Sequence, residues 1–341
     1  MRIGIVNDLT LAREVLRRVV ASVPGYVVAW AADDGDDAVA KTAADRPDVI
    51  LMDLVMPRLN GVEATRQIMR QSPCPILVVT SSVATNYALA FRAMGAGALD
   101  AVDTPTLGPS GTIQNAEKLV ARLAHLDAAL AGTMGSGAMA VPRLGAVASD
   151  APPLVLLGAS TGGPEALATV LSAFPADLAA SVLISQHIAS DFAPGLVQQL
   201  AARCKLPVRG AHPGDTPTAG VVYVAVTNDH MELGPERSLQ YTPNPRSHPY
   251  RPSVDVLFNS AAARSPRLGV AALLTGMGTD GADGLLRLRA VGWHTIAQDE
   301  ATSIVYGMPK AAVEKRAAVE VLPLHHIGDG IVARILALKR R

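Results

Sequence analysis

LVLLGASTGGPEAL, Leu154–Leu167, passes from an apolar run through a glycine-flanked serine into helical spacing. A strand that ends on small residues and restarts as a helix is the repeating unit of a parallel sheet wrapped by helices. The residue on the turn is Ser160, and Gly158 to Gly162 fits the pattern G-x-S-x-G. Small neighbours let such a turn tighten until the hydroxyl projects into a cleft. The helix that follows offers amides without intrahelical acceptors, suited to a developing oxyanion. In a chain rich in Gly and Ala the same pentapeptide also reads as a helix cap or a phosphate-binding turn.

Downstream, the alternation continues through SVLIS, VVYVAV, VAALLTG and HTIAQ, with helical spacing between these runs. Residues 152–341 are therefore expected to form a doubly wound, mainly parallel α/β domain, with its chemistry where strands end. A serine nucleophile needs a base. His187 closes the SVLISQ run, the next strand after Ser160, and can reach the same sheet edge. His125 falls on a helix, His212, His230 and His248 in polar loops that suit a surface role, His294 at the start of a strand, and His325 and His326 in the last segment. A third group must orient the imidazole. Asp280 lies in the glycine-rich loop LLTGMGTDGADG, as an orienting carboxylate or a cap, and Asp283 reads as a first-turn acid facing the helix dipole. A lipase-like order, serine then acid then histidine, would need Asp255 or Asp280 with His294 or His325, and no oxyanion-loop motif accompanies it.

Upstream, Ile3–Val6, Val49–Met52 and Ile76–Val79 alternate with helical spacing, and apolar positions from Ile113 to Leu130 predict a closing helix. Residues 1–130 read as a second α/β domain. Residues 131–151, rich in Gly, Ala and Pro, read as a linker. Asp8 follows the first strand and Asp53 the third, so both carboxylates fall on one sheet edge. There they could hold a hard cation such as Mg²⁺ or serve as loop-entry acids and caps.

Composition bounds the function. The 341 residues carry 30 Lys+Arg against 30 Asp+Glu, which argues against a nucleic-acid footprint or an anionic-membrane surface. Two distant cysteines without metal spacing suggest a reducing compartment. MRIGIVND lacks the pattern of a signal peptide, and no long apolar run is present, so a cytoplasmic protein without direct membrane insertion is expected.

DLVMPRLNG, Asp53–Gly61, together with the strand ending at Thr80 and the Thr104-Pro105 step, resembles the receiver domain of two-component response regulators. The resemblance covers about the first 130 residues and implies a flavodoxin-like fold. It further implies that Asp53 accepts a phosphoryl group from a CheA-type histidine kinase, that the Thr80 hydroxyl bonds the phosphate, and that Mg²⁺ binds at Asp8 and Asp53. Three positions depart from the family pattern. Asn7-Asp8 stands for an acidic pair, Thr104 for a lysine, and Ala101 for an aromatic switch residue.

GASTGG, QH, RPSVD, LLTGMGTDG and TIAQDE, in this order, resemble the catalytic domain of the CheB chemotaxis protein-glutamate methylesterases from about Leu154 to the end. IVND and DAVDTPTLG are more similar to the Wsp-type branch. The resemblance implies Ser160 as nucleophile, His187 as base, Asp280 as orienting carboxylate, the Met277 amide in the oxyanion site and Thr161 lining it, without a cofactor. The implied substrate is a glutamyl methyl ester on a methyl-accepting receptor protein, with glutamine deamidation as a second activity and phosphorylation as the control, through a receiver that covers the cleft. A generic serine esterase and a non-catalytic, phosphorylation-dependent receptor-binding protein are the alternatives. RPSVD itself reads as a helix start capped by Ser253, and Gln298-Asp299-Glu300 as a loop fixture.

Overall fold

The structure, a computed structural model, describes residues 1–108, 112–130, 151–246, 248, 250–265 and 267–339. The chain divides into two compact units, Met1–Thr133 and Met134–Arg341. The linker expected over 131–151 lies, but for Ala151, outside the described residues.

The first unit runs β1 (Arg2–Val6), α1 (Thr10–Ala21), β2 (Val27–Ala32), α2 (Gly35–Ala44), β3 (Val49–Met52), α3 (Gly61–Gln71), β4 (Ile76–Thr80), α4 (Tyr87–Gly95), β5 (Asp100–Asp103), the short strands β6 (Thr106–Leu107) and β7 (Ile113–Gln114), and α5 (Glu117–Leu130). Its parallel sheet has the order β2-β1-β3-β4-β5, the flavodoxin-like arrangement. β3 and β4 are buried along their whole length, which is why they read as unbroken apolar runs. The closing helix begins at Glu117, not Ile113. Ile113 and Gln114 pair antiparallel with Leu107 and Thr106, and Asn115 takes a left-handed φ of 61° that interrupts any helix. Ile113 and Ala116 still pack on the core, so the helical spacing reported their burial and not their backbone.

The second unit runs β8 (Leu154–Ala159), α6 (Gly163–Ser172), β9 (Ser181–Gln186), α7 (Ala193–Arg203), β10 (Val208–Gly210), β11 (Val222–Val224), β12 (His230–Leu233), β13 (Leu239–Thr242), α8 (Val254–Arg264), β14 (Val270–Leu273), α9 (Ala282–Ala290), β15 (His294–Gln298), α10 (Met308–Glu314), β16 (Glu320–Leu322) and α11 (Leu324–Lys339). Seven parallel strands form one sheet in the order β10-β11-β9-β8-β14-β15-β16. The chain winds outward from β8 through β9 to one edge, then returns to place β14 on the other side of β8. In open α/β sheets ligands bind at such a reversal, here at the carboxyl ends of β9, β8 and β14. The hairpin β12–β13 stands apart from this sheet and was not legible beforehand. It takes His230, read above as a polar-loop residue, into the interior, where its exposure is 0%.

Candidate active site

Ser160, His187 and Asp280 follow β8, β9 and β14, the three strands around the reversal. β8 and β9 pair in register from Leu154↔Ser181 to Ala159↔Gln186, so Ser160 and His187 leave adjacent strands at the same level. The Ser160 amide donates to the Thr275 carbonyl at 3.0 Å and the His187 amide to the Ala159 carbonyl at 3.0 Å. Gln186 ties the two peptides together, its side-chain amide donating to the carbonyls of Ser160 at 2.9 Å and His187 at 3.0 Å. The turn after Ser160 needs Gly162, which has a φ of 74°. It also needs Gly163, where a side-chain carbon would sit 2.0 Å from Gln186 Oε1.

Asp280 is reached by a loop from β14 and lies at the N-terminus of α8. Its carboxylate accepts hydrogen bonds from His187 Nε2 (2.6 Å), Ser253 Oγ (2.8 Å), and the amides of Val254 (2.7 Å) and Asp255 (3.1 Å). Burial pushes its carboxyl upward, but the hydrogen bond and charge of His187 and the two amides outweigh this and hold it below the usual range. An ionised carboxylate can only accept, so His187 Nε2 carries the proton. Nδ1 is then the free base nitrogen, and it is buried without a partner among the described residues. Ser160, His187 and Asp280 are 8%, 9% and 7% exposed. Ser160 Oγ makes no hydrogen bond to the imidazole here, so the histidine–aspartate half of the constellation is closed and the serine half is open.

Thr161 is buried beside Ser160, its hydroxyl without a partner among the described residues and its carbonyl accepting from Thr275 Oγ1 at 2.9 Å. Met277 lies in the β14–α9 loop, and its amide enters no backbone hydrogen bond among the described residues. Donors without internal acceptors, gathered beside a buried serine, suit an oxyanion.

Sequence reasoning read Ser253 as a cap, and it does accept the Val256 amide at 3.3 Å, but its proton goes to Asp280. Behind it, His230 Nδ1 accepts the Ser253 amide at 3.0 Å. Asp255, read above within a helix start and as an acid of the lipase-like alternative, lies beside Asp280, to which its amide donates. Burial, and next the charge of Asp280, push its carboxyl well above the usual range, while its Oδ1 accepts the Gly284 amide at 2.6 Å. Tyr250, which stacks on the His187 ring, was missed entirely, because a loop tyrosine carries no spacing signal. Gln298 is a loop fixture as expected, accepting the Thr275 amide at 2.8 Å and donating to the Thr302 carbonyl at 2.7 Å.

In the first unit, Asn7 follows β1, Asp53 follows β3, Thr80 ends β4 and Thr104 follows β5. Asn7 Nδ2 donates to Asp53 Oδ2 at 2.9 Å, and the Leu54 amide donates to Asp53 Oδ1 at 2.7 Å. Burial raises the Asp53 carboxyl to about 6, and the charge of Asp8 adds to the rise. Two carboxylates that repel one another suit a hard cation, since Mg²⁺ takes one or two protein carboxylates and keeps several waters. Thr80 Oγ1 accepts from Asn86 Nδ2 at 2.9 Å, and the Thr104 amide donates to the Thr80 carbonyl at 2.8 Å. Ala101 is buried within β5. Among the described residues no three His, Cys, Asp or Glu side chains gather as a metal cluster, and no helix is long and apolar enough to cross a membrane.

Residues 155–331 match the family model for CheB methylesterase, and residues 3–107 that for the response regulator receiver domain. The chain is 50% identical over 343 residues to protein-glutamate methylesterase/protein-glutamine glutaminase 4 of Burkholderia thailandensis, covering 100% of this chain and 99% of the relative. It is likewise 50% identical over 335 residues to the protein-glutamate methylesterase/protein-glutamine glutaminase of Mesorhizobium japonicum, covering 97% of this chain and 98% of the relative. The crystal structure of the Thermotoga maritima CheB methylesterase catalytic domain superposes with a TM-score of 0.51 at 30% identity, covering 54% of this chain and 99% of that domain.

Proposed function

The chain belongs to the CheB methylesterase family with an N-terminal receiver domain, and from that premise we propose that it hydrolyses glutamyl methyl esters on the cytoplasmic helices of a methyl-accepting receptor protein. His187 Nδ1 takes the Ser160 proton as Oγ attacks the ester carbonyl. The tetrahedral oxyanion is held by the Met277 amide beside Thr161. Collapse expels methanol, which receives the proton from His187. Water, deprotonated by the same nitrogen, then splits the acyl-enzyme into glutamate and free serine. Asp280 stays ionised throughout and stabilises the imidazolium. A glutamine side-chain amide passes through the analogous intermediate with ammonia leaving, which supports deamidation as the second activity.

One observation carries this reading. The 2.6 Å bond between His187 and a fourfold-hydrogen-bonded Asp280 stands beside a serine on a glycine turn, at the reversal point of the sheet. Positioned proton transfer contributes about 10² to 10⁴ in rate and an oxyanion donor about 2.7 to 4 kcal/mol. The test is methanol release from methylated receptor membranes. Wild type should release methanol and Ser160→Ala should release none above background; equal release by both removes the nucleophile.

The receiver supports control by phosphorylation. A CheA-type histidine kinase would transfer its phosphoryl group to the Asp53 carboxylate, with the Thr80 hydroxyl placed to bond it. Mg²⁺ at Asp8 and Asp53 would offset the phosphoryl charge when bound. With threonine at 104, no lysine ammonium is supplied from that position.

A further inference from the structure

One half-buried ring beside His187, that of Tyr250, has no task in this mechanism. The Tyr250 ring lies parallel to the imidazole, with centroids 4.4 Å apart and planes 5° from one another. Its hydroxyl is buried without a hydrogen-bond partner among the described residues. The hydroxyl lies over the β14–α9 loop, where a side-chain carbon at Gly278 would sit 3.5 Å from it. Burial, and behind it the charge of Asp280, pushes this phenol up to about 12, so it stays neutral. The ring has a partner, and that partner is the base.

We propose that Tyr250 is a positioning residue for His187, its phenol face fixing the imidazole plane and stabilising the imidazolium formed when Ser160 gives up its proton; the proposal rests on the reading of Ser160, His187 and Asp280 given above. Two constraints then act on one ring. Asp280 holds Nε2 in the ring plane, and Tyr250 prevents rotation out of that plane. Together they leave Nδ1 a single direction. The electrostatics are also complementary. An aromatic face carries negative quadrupole density and attracts a cation within about 6 Å of its centroid, more strongly where water is excluded. Asp280 meets the developing charge at the ring edge, and Tyr250 meets it at the face.

The titratable and charged groups around this pair are Asp280 on the β14–α9 loop, Asp255 on α8, His230 on β12, and His248 and Arg251 on the segment that carries Tyr250. Substitution at position 250 removes none of them.

The test uses the full chain, methanol release from methylated receptor membranes, and kcat and KM measured across pH for Tyr250→Leu and Tyr250→Phe. Leucine keeps the site apolar but has no π face. Tyr250→Leu should lower kcat about ten-fold with little change in KM, and should move the acid limb of kcat/KM to lower pH by about half a unit or more. Tyr250→Phe, which keeps the ring, should restore kcat to within about two-fold and return the limb. A folded Tyr250→Leu with wild-type kcat and an unmoved limb overturns the proposal, as does a Tyr250→Phe that falls as far as Tyr250→Leu, since the hydroxyl would then be the active part. If Tyr250→Leu does not fold, Tyr250→Trp decides: its stronger π face should move the limb to higher pH, and an unmoved limb overturns the proposal. Failure of the underlying reading is distinct, because it shows as release by Ser160→Ala equal to wild type before any position 250 variant is measured.

Discussion

A buried carboxylate survives as an anion only where donors surround it, and Asp280 has four while its neighbour Asp255 is pushed the other way. The signs of their contributions to stability are therefore opposite. Asp280, held low in the fold, adds stability above the ordinary carboxylate range of about 4 and loses it as pH falls below that range. Asp255, held high, binds its proton more tightly folded than unfolded, so it costs stability as pH rises from about 4 through its raised value. Asparagine cannot titrate and can still accept the Gly284 amide at its Oδ1. The stability of Asp255→Asn relative to wild type should therefore improve from pH 4 to pH 8 in urea denaturation. A difference that is flat or declines over that interval would show Asp255 ionised in the fold. At this scale residue types and their order offered Ser160, His187 and Asp280 as one reading among others, and the resemblance to the CheB methylesterases singled them out. It could not reveal Tyr250 or the burial of His230, because ring stacking and a hairpin's approach leave no periodic trace.

Among the elements, the α8–α9 pair sets the geometry behind the site. The α8 N-terminus presents the Val254 and Asp255 amides to Asp280, and α9 begins two residues after Asp280. The two helices approach closely through Gly284, where a side-chain carbon would lie 2.6 Å from Phe258 Cβ and 3.1 Å from Asp255 Oδ1. Gly284→Ala should therefore destabilise the protein by about 1–3 kcal/mol through overpacking. It should also lower kcat by displacing the amides from Asp280. Chemical denaturation and methanol release measure the two effects, and an unchanged unfolding midpoint would refute the tight contact. Strands and long helices were legible because both faces of a parallel sheet are covered, which produces apolar runs such as Leu154–Ala159. The start of α5 was misplaced because Ile113 and Ala116 face the core on helical spacing although Asn115 breaks the helix.

For the whole molecule, the receiver and the esterase unit each have their own sheet and apolar core. The proposed link between them is covalent chemistry at Asp53, where wild type and Asp53→Asn differ in one carboxylate oxygen. With a small phosphodonor and Mg²⁺, wild type should migrate as a phosphorylated species on Phos-tag electrophoresis and release methanol several-fold faster, and Asp53→Asn should do neither. Identical migration of the two proteins would leave the first unit a scaffold without phosphotransfer.

The sequence by itself determined the two α/β units, the receiver and methylesterase motifs, and the candidate serine, histidine and aspartate, because strand alternation and glycine-flanked turns are written locally in the order of residues. The tertiary structure alone decided that β14 returns beside β8, so that residues 160, 187 and 280 follow three neighbouring strands of one sheet and His187 reaches the Asp280 carboxylate. It also decided that Asp280 caps α8, that burial and the charge of Asp280 raise the Asp255 carboxyl nearby, and that Tyr250 lies flat on the imidazole. These depend on contacts between segments far apart in the chain, whose energies come from burial and hydrogen-bond geometry that no local pattern encodes.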